Sequence, residues 1–208
     1  MSRAMVLLSG GIDSAVALAW ISRQVEDLFA ISFQYYLRPW RERLAVYRLL
    51  QSYPAKLIEL PFPFLREAHD SRQKISVDVP EGYIPNRNMI FYSTACHFAQ
   101  MHRCERLVGG HTAEDQGTFP DASRSFFDRL QELMNEALLF GRIEIELPLA
   151  KMTKLQVVEK AVEWGVPLQH TWSCYWDGPA PCGQCTSCHE RAEAFLRLGH
   201  PDPLIPIS

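Results

Sequence analysis

Two stretches of the chain carry residue types at spacings that suit chemistry. The first is Ser9-Gly10-Gly11-Ile12-Asp13-Ser14, set between the apolar run Ala4 to Leu8 and a segment in which Ile12, Ala15, Val16 and Ala19 recur at helical spacing. Paired glycines let the backbone approach an anion, and the N–H groups of the helical turn that follows face it with the helix dipole behind them. The common nucleotide-binding loop, G-x-x-x-x-G-K followed by Ser or Thr, is absent in both spacing and lysine. A phosphate cradle of another kind and a plain strand-to-helix turn both fit these six residues.

The second stretch lies near the C-terminus, where seven residues separate Cys174 from Cys182 and two residues separate Cys182 from Cys185 and Cys185 from Cys188. Four thiolates on a short segment rich in Gly and Pro match a tetrahedral zinc site, closed to further ligands and therefore structural. An iron-sulfur cluster is the rival, but its last cysteine is commonly followed by proline, and here His189 follows Cys188. Cys96 and Cys104 lie among apolar residues and are expected to be buried thiols.

These stretches need a scaffold. Apolar runs at 4–8, 28–33, 55–60, 106–110 and 142–149 predict strands, the third ended by Pro61 and Pro63. Helical patterns at 12–19, 41–53, 89–102, about 125–140 and 153–164 alternate with them, the last closed by Gly165 and Pro167. Between them lie a turn-rich segment at 74–88 and a polar loop at 111–125. Such alternation predicts parallel strands joined by crossover helices, with the loops after Ser9, Phe33, Leu60 and Gly110 sharing one sheet edge. Thr153 and Gln156 form a T-x-x-Q capping box that puts Lys154 in the first turn of its helix, where a cation opposes the dipole unless an anion is near.

With 208 residues, 47% of them hydrophobic, the chain is long enough for one α/β domain with a small appendage. A formal charge of −3 provides no electrostatic footprint for a polyanion, so nucleic acid is not an expected partner. No apolar run is long enough to span a bilayer, and Met1 to Arg3 lead straight into a strand; no membrane partner and a cytoplasmic location are expected, and six cysteines there imply metal binding or free thiols.

The first stretch resembles the S-G-G-x-D-S loop of the PP-loop ATP pyrophosphatases. "TWSCYWDGPAPCGQCTSCHERAEAF", "YIPNRNMIFYSTACHFA" and "LPLAKMTKLQVVEKAVEWGVP" resemble three blocks of one family within them, the QueC (ExsB) family of 7-cyano-7-deazaguanine synthases, with collinear matches from residue 5 to about 196. The resemblance implies a Rossmann-like (adenine nucleotide alpha hydrolase-like) parallel sheet with helices on both faces and a C-terminal zinc knuckle: residues 1–170 as the ATP-binding domain and 171–208 as a zinc-binding segment packed on it. It implies ATP, Mg2+ and one structural Zn2+ per chain, a deazaguanine carboxylate and ammonia as substrates, and a homodimer.

For the site, the resemblance places Ser9, Gly10, Gly11, Ile12, Asp13, Ser14 and Lys154 at ATP, with Asp13, Lys154 and Arg87 as the catalytic set and Cys174, Cys182, Cys185 and Cys188 on the metal. Tyr35, Arg87, Asp115, Phe119, Asp121 and Trp172 are candidates for the substrate, with Glu114 and Tyr175 beside them. Each has a plainer alternative: Asp13 as a favourable charge at a helix start, Lys154 and Arg87 as solvated cations, the acids as solvated loop residues and the aromatic rings as packing.

The chain departs from the family pattern where Gln34, Tyr36, Leu37 and Pro39 follow the second strand, and where Asn86 replaces a glycine, Thr112 an asparagine, Ala122 a cysteine and Gln156 an acid. These changes cluster near the acceptor side, so three functions stay open. They are amidation to the amide and then the nitrile, a defence-type branch that conjugates the activated deazaguanine to an amine of a protein or other macromolecule, and a non-catalytic nucleotide-binding module. The PP-loop tRNA enzymes are a further rival, without the extra RNA-binding domain or catalytic cysteine pair that they commonly carry.

Overall fold

In the computed structural model, which describes residues 2–36, 38–65 and 79–205, five parallel strands form one sheet in the order β3-β2-β1-β4-β5. They are β1 (Arg3–Leu7), β2 (Asp27–Tyr35), β3 (Lys56–Phe62), β4 (Arg106–Val108) and β5 (Glu144–Glu146). The helices are α1 (Ile12–Ile21), α2 (Trp40–Ser52), α3 (Arg87–Met101), α4 (Ala113–Thr118), α5 (Arg124–Glu136), α6 (Lys154–Glu163) and α7 (Thr186–Leu198). Because β1 pairs with β2 on one side and β4 on the other, the chain reverses its winding direction at β1. Loops at the carboxyl ends of β1, β2 and β4 therefore border one crevice.

Alternation along β1 divides the core. Ala4 and Val6 pack with α1, Val46 and Leu49 of α2, Val157, Val158 and Ala161 of α6, and Ala194 and Phe195 of α7. Met5 faces the opposite layer, with Tyr92, Ala95 and Ala99 of α3 and Phe127, Leu130 and Met134 of α5. A strand covered on both faces needs an unbroken apolar run, which explains why β1 and β2 are legible in the sequence. Cys96 and Cys104 are buried in the second layer, and burial pushes both thiols up, Cys104 to about 11.

The structure corrects several boundaries. Strand β3 continues through Pro61, which is tolerated because β3 is the sheet edge, although Pro61 pairs in register with Gln34. The run at 142–149 yields only three strand residues, and the polar loop at 111–125 contains α4. In α4 Thr112 and Asp115 make a capping box: the Asp115 carboxylate accepts the Thr112 N–H at 2.8 Å, and the Thr112 hydroxyl accepts the Asp115 N–H at 3.4 Å. The box expected at Thr153 and Gln156 is formed. Helix α6 is not the last main helix, since α7 starts within the cysteine segment, with Cys185 at its N-cap and Cys188 in its first turn, and ends at Gly199, whose φ of +67° is a left-handed C-cap. The turn-rich segment falls partly outside the described residues, at 74–78; its remainder leads into α3.

Asn86 occupies the left-handed region with φ of 56° at the N-cap of α3, so asparagine fills there a conformation that glycine also adopts easily. The C-terminal segment is held by Arg191, only 4% exposed, which donates to both carboxylate oxygens of Asp202 at 2.7 and 2.8 Å and to the Thr171 hydroxyl at 2.8 Å. Arg191→Ala strands a buried carboxylate. The expected cost is about 3–5 kcal/mol, seen in calorimetry as a Tm lower by roughly 10 °C.

Candidate active site

The crevice is a cavity of about 300 Å³ lined by residues from β1 to α1, from β2 to α2, from the loop before α3, from β4 to α4, and from α6, α7 and the segment after residue 171. Its floor is the loop Ser9–Ser14. Gly10 has φ of +99°, and a methyl there would lie 2.4 Å from the Glu42 carbonyl oxygen of α2. Gly110 at the end of β4 is also obligatory, because a methyl would come within 2.7–2.9 Å of the Asp13 and Ser14 backbone. These two contacts press the first turn of α1 between its neighbours.

Ser14, almost fully buried, organises the loop. Its hydroxyl accepts N–H bonds from Ser9 at 3.3 Å and Gly10 at 3.2 Å and donates to the Gly11 carbonyl at 3.0 Å. The other carbonyls are also engaged from outside: Gly10 accepts the Trp172 N–H at 2.9 Å, and Ser9 accepts a short bond from the Arg38 guanidinium. No side chain caps the N-terminus of α1. The N–H groups of its first turn precede the helix's own hydrogen-bond ladder and form an anion-binding end.

The Lys154 ammonium at the start of α6 donates to the Asp13 carboxylate at 2.5 Å, with both side chains about one-quarter exposed. Burial raises the Asp13 carboxyl against the opposing pull of Lys154, and its second oxygen has no hydrogen-bond partner among the described residues. Burial acts to lower the Lys154 ammonium, but the charge and hydrogen bond of Asp13 outweigh it and hold the ammonium above its usual range. Glu190 of α7 lines the same cavity and is raised by burial, with Asp13, Asp115 and Glu114 adding to the effect. The site therefore concentrates acids around one lysine.

The structure brings Tyr35, Arg87, Asp115, Phe119, Trp172 and Tyr175 to the cavity together with the loop and Lys154. Phe119 stacks on Tyr83 at 6.3 Å, 6° from parallel, and Arg87 lies over its ring. Asp121 is not among the lining residues: its carboxylate accepts the Asn88 N–H at 3.0 Å and so anchors the start of α3. Glu114 accepts the Lys154 N–H at 2.9 Å, capping α6.

Other wall residues carry no spacing signal of their own, although Arg38 keeps a position of the family pattern after the second strand. Arg38, with a 3% exposed side chain, sits beneath the loop and donates to Glu42 at 2.9 Å and to the Ser32 hydroxyl at 3.1 Å. Burial raises the Glu42 carboxyl against the opposing Arg38 charge. Glu190, Tyr92 and His111 also lack a marked spacing; the one available sign for Glu190 is its position two residues after Cys188.

Behind the cavity, the sulfur atoms of Cys174, Cys182, Cys185 and Cys188 lie within 4.8 Å of one another, and the Cys182–Cys188 pair is 3.9 Å apart. Four sulfurs around a tetrahedral ion with metal–sulfur bonds of about 2.3 Å are separated by just under 4 Å, so this cluster can hold a metal ion. Backbone N–H groups of Trp176 and Cys182 donate to Cys174, and those of Gln184 and Cys185 to Cys182, which offsets thiolate charge. Asp177 of the same segment accepts the Trp40 and Arg41 N–H groups at the start of α2, and Glu81 accepts the Thr186 N–H at the start of α7. The knuckle is thus bonded into the walls of the cavity.

Ser14→Ala removes the acceptor shared by the loop N–H groups. The expected cost is about 1–3 kcal/mol, a Tm lower by about 3–10 °C, with weakened binding of a non-hydrolysable ATP analogue in calorimetry.

Similarity to known proteins agrees with this arrangement. Solved structures with the same fold include the U34-tRNA thiolase NcsA from Methanococcus maripaludis, at TM-score 0.54 and 20% identity over 97% of this chain and 68% of that one. NMN synthetase from Francisella tularensis matches at TM-score 0.54 and 16% identity, over 96% of this chain and 78% of that one. Among curated relatives, the 7-cyano-7-deazaguanine synthase of Sulfurovum sp. (strain NBC37-1) is 34% identical over 97% of both chains. That of Methanosarcina mazei is 32% identical over 98% of this chain and 97% of its own. The family model described as queuosine biosynthesis protein QueC matches residues 3–199, and the chain belongs to the QueC family of PP-loop ATP pyrophosphatases.

Proposed function

We propose that this chain is a ligase that adenylates 7-carboxy-7-deazaguanine with ATP and amidates it with ammonia. A carboxylate oxygen attacks the α-phosphorus and pyrophosphate leaves. Ammonia displaces AMP to give the amide; the amide oxygen then attacks the α-phosphorus of a second ATP, pyrophosphate leaves again, and loss of AMP and a proton gives the nitrile, 7-cyano-7-deazaguanine. The observation that carries this reading is the convergence of an anion-binding loop, Lys154 and a wall of rings and cations on one cavity, in a chain of this family.

The residues divide the work. Residues 1–170 bind ATP, with the first turn of α1 taking the departing pyrophosphate. Lys154 exchanges its bond to Asp13 for phosphate oxygens and offsets the charge that develops in the transition state. Asp13, with one carboxylate oxygen free of hydrogen bonds among the described residues, and the neighbouring acids would be the oxygen ligands for Mg2+ carried with ATP. Arg87 and Phe119 hold the acceptor carboxylate and ring. Within residues 171–208, Cys174, Cys182, Cys185 and Cys188 would hold one structural Zn2+ as thiolates, and the knuckle so tied would position Trp172 and Glu190 at the cavity and Asp177 at the start of α2. A homodimer rests on the resemblance alone.

Several departures from the family pattern have structural work. Asn86 takes a left-handed turn, Thr112 caps α4, and the Gln34 amide donates to Glu59 at 2.9 Å on the sheet edge.

Mass spectrometry of protein with ATP, Mg2+, 7-carboxy-7-deazaguanine and ammonium tests the proposal. AMP, pyrophosphate and the nitrile are expected; accumulation of adenylate or amide without nitrile points to another acceptor. Lys154→Ala is expected to lower turnover by about 100- to 1,000-fold with an unchanged circular dichroism spectrum. Metal analysis should find one zinc per chain, and Cys185→Ala should lose it together with solubility.

A further inference from the structure

We propose that Tyr92 and His111 form a polar subsite that hydrogen-bonds the heterocyclic edge of the substrate and so determines which ring the enzyme accepts. The inference rests on the ligase reading above. Tyr92 of α3 is completely buried and lines the cavity, yet its hydroxyl has no hydrogen-bond partner among the described residues. A buried hydroxyl without a partner costs stability, and phenylalanine would fill the same space without that cost.

The hydroxyl fits only because residue 109 is glycine. A methyl on Gly109 would lie 1.7 Å from the Tyr92 oxygen and 3.0 Å from its ring carbon Cζ. Gly109 is also a lining residue of the cavity, so the hydroxyl takes the place of a side chain at a position on the cavity wall. The two residues form one device, in which a small residue on β4 makes room for a polar atom from α3.

His111 lies on the same wall, its ring centroid 5.8 Å from that of Tyr92 and 4.8 Å from that of Phe127. Burial pushes its imidazole down to about 4, with the Arg87 charge acting in the same direction against Asp115 and Asp121. At neutral pH it presents one donor and one acceptor, and a tyrosine hydroxyl likewise donates and accepts. Together they match a ring edge that carries a carbonyl oxygen beside an N–H, as a guanine-type lactam does. The β2 side of the cavity is different in kind, with Phe33 stacked on Phe91 at 4.1 Å. That side suits a ring face, and the β4 side suits a polar edge.

Isothermal titration in the presence of a non-hydrolysable ATP analogue tests this with two probes, 7-carboxy-7-deazaguanine and 7-deazapurine-7-carboxylic acid, which lacks the carbonyl and amino groups. Tyr92→Phe is expected to weaken the first probe about 3- to 10-fold, to leave the second unchanged, and to leave the affinity for the nucleotide and the Tm no lower than in the unmodified protein. A Tyr92→Phe protein that binds the first probe as tightly as the unmodified protein overturns the subsite alone. Equal losses for both probes also overturn it, because they would reflect packing. Unmodified protein that binds neither probe overturns the proposed substrate and the subsite with it.

Discussion

A loop offers N–H groups to an anion only if its remaining backbone polarity is bonded away from the anion, and the cavity depends on this constraint at Ser9–Ser14. The Ser9 carbonyl is taken by Arg38, that of Gly10 by the Trp172 N–H, and that of Gly11 by the Ser14 hydroxyl and the Ala15 N–H. Two distant parts of the chain, together with the loop's own Ser14 and the adjoining Ala15, hold the loop from behind. What faces the cavity is the first turn of α1, with its dipole unopposed by any side-chain cap.

The same economy extends to the walls. Asp177 and Glu81 cap α2 and α7, and Glu114 caps α6. Each bond ties a helix start to a different segment of the chain, so the elements around the cavity are registered by hydrogen bonds at their N-termini as well as by apolar packing. The knuckle belongs to this network. Cys174, Cys185 and Cys188 are buried with Trp172 and Ala45, so a metal held there stiffens both the wall and the start of α2.

Electrostatically the cavity is loaded against itself. Burial and mutual repulsion raise Asp13 and Glu190 above ordinary carboxylates, and Lys154 answers through its short bond to Asp13. In the proposed reaction this pair exchanges partners, with a phosphate competing for the lysine and a cation for the acid. Neither charge is sealed in the core, since each remains about one-quarter exposed toward the cavity.

The amino-acid sequence by itself determined the parallel α/β architecture, the glycine loop, the four-cysteine cluster and the capping box that starts α6. All rest on local signals: continuous apolar runs for strands buried on both faces, short fixed spacings for loop and ligands, and a four-residue capping pattern. Its errors fell where local signals end, as in Pro61, tolerated by an edge position, and α7, a helix hidden behind metal-type spacing. Only the tertiary structure decided that Arg38 and Trp172 hold the loop, that Asp121 anchors α3, and that Gly109 leaves space for the Tyr92 hydroxyl. Those contacts join residues from different strands and helices. Their geometry depends on sheet order and register, which a one-dimensional pattern does not contain.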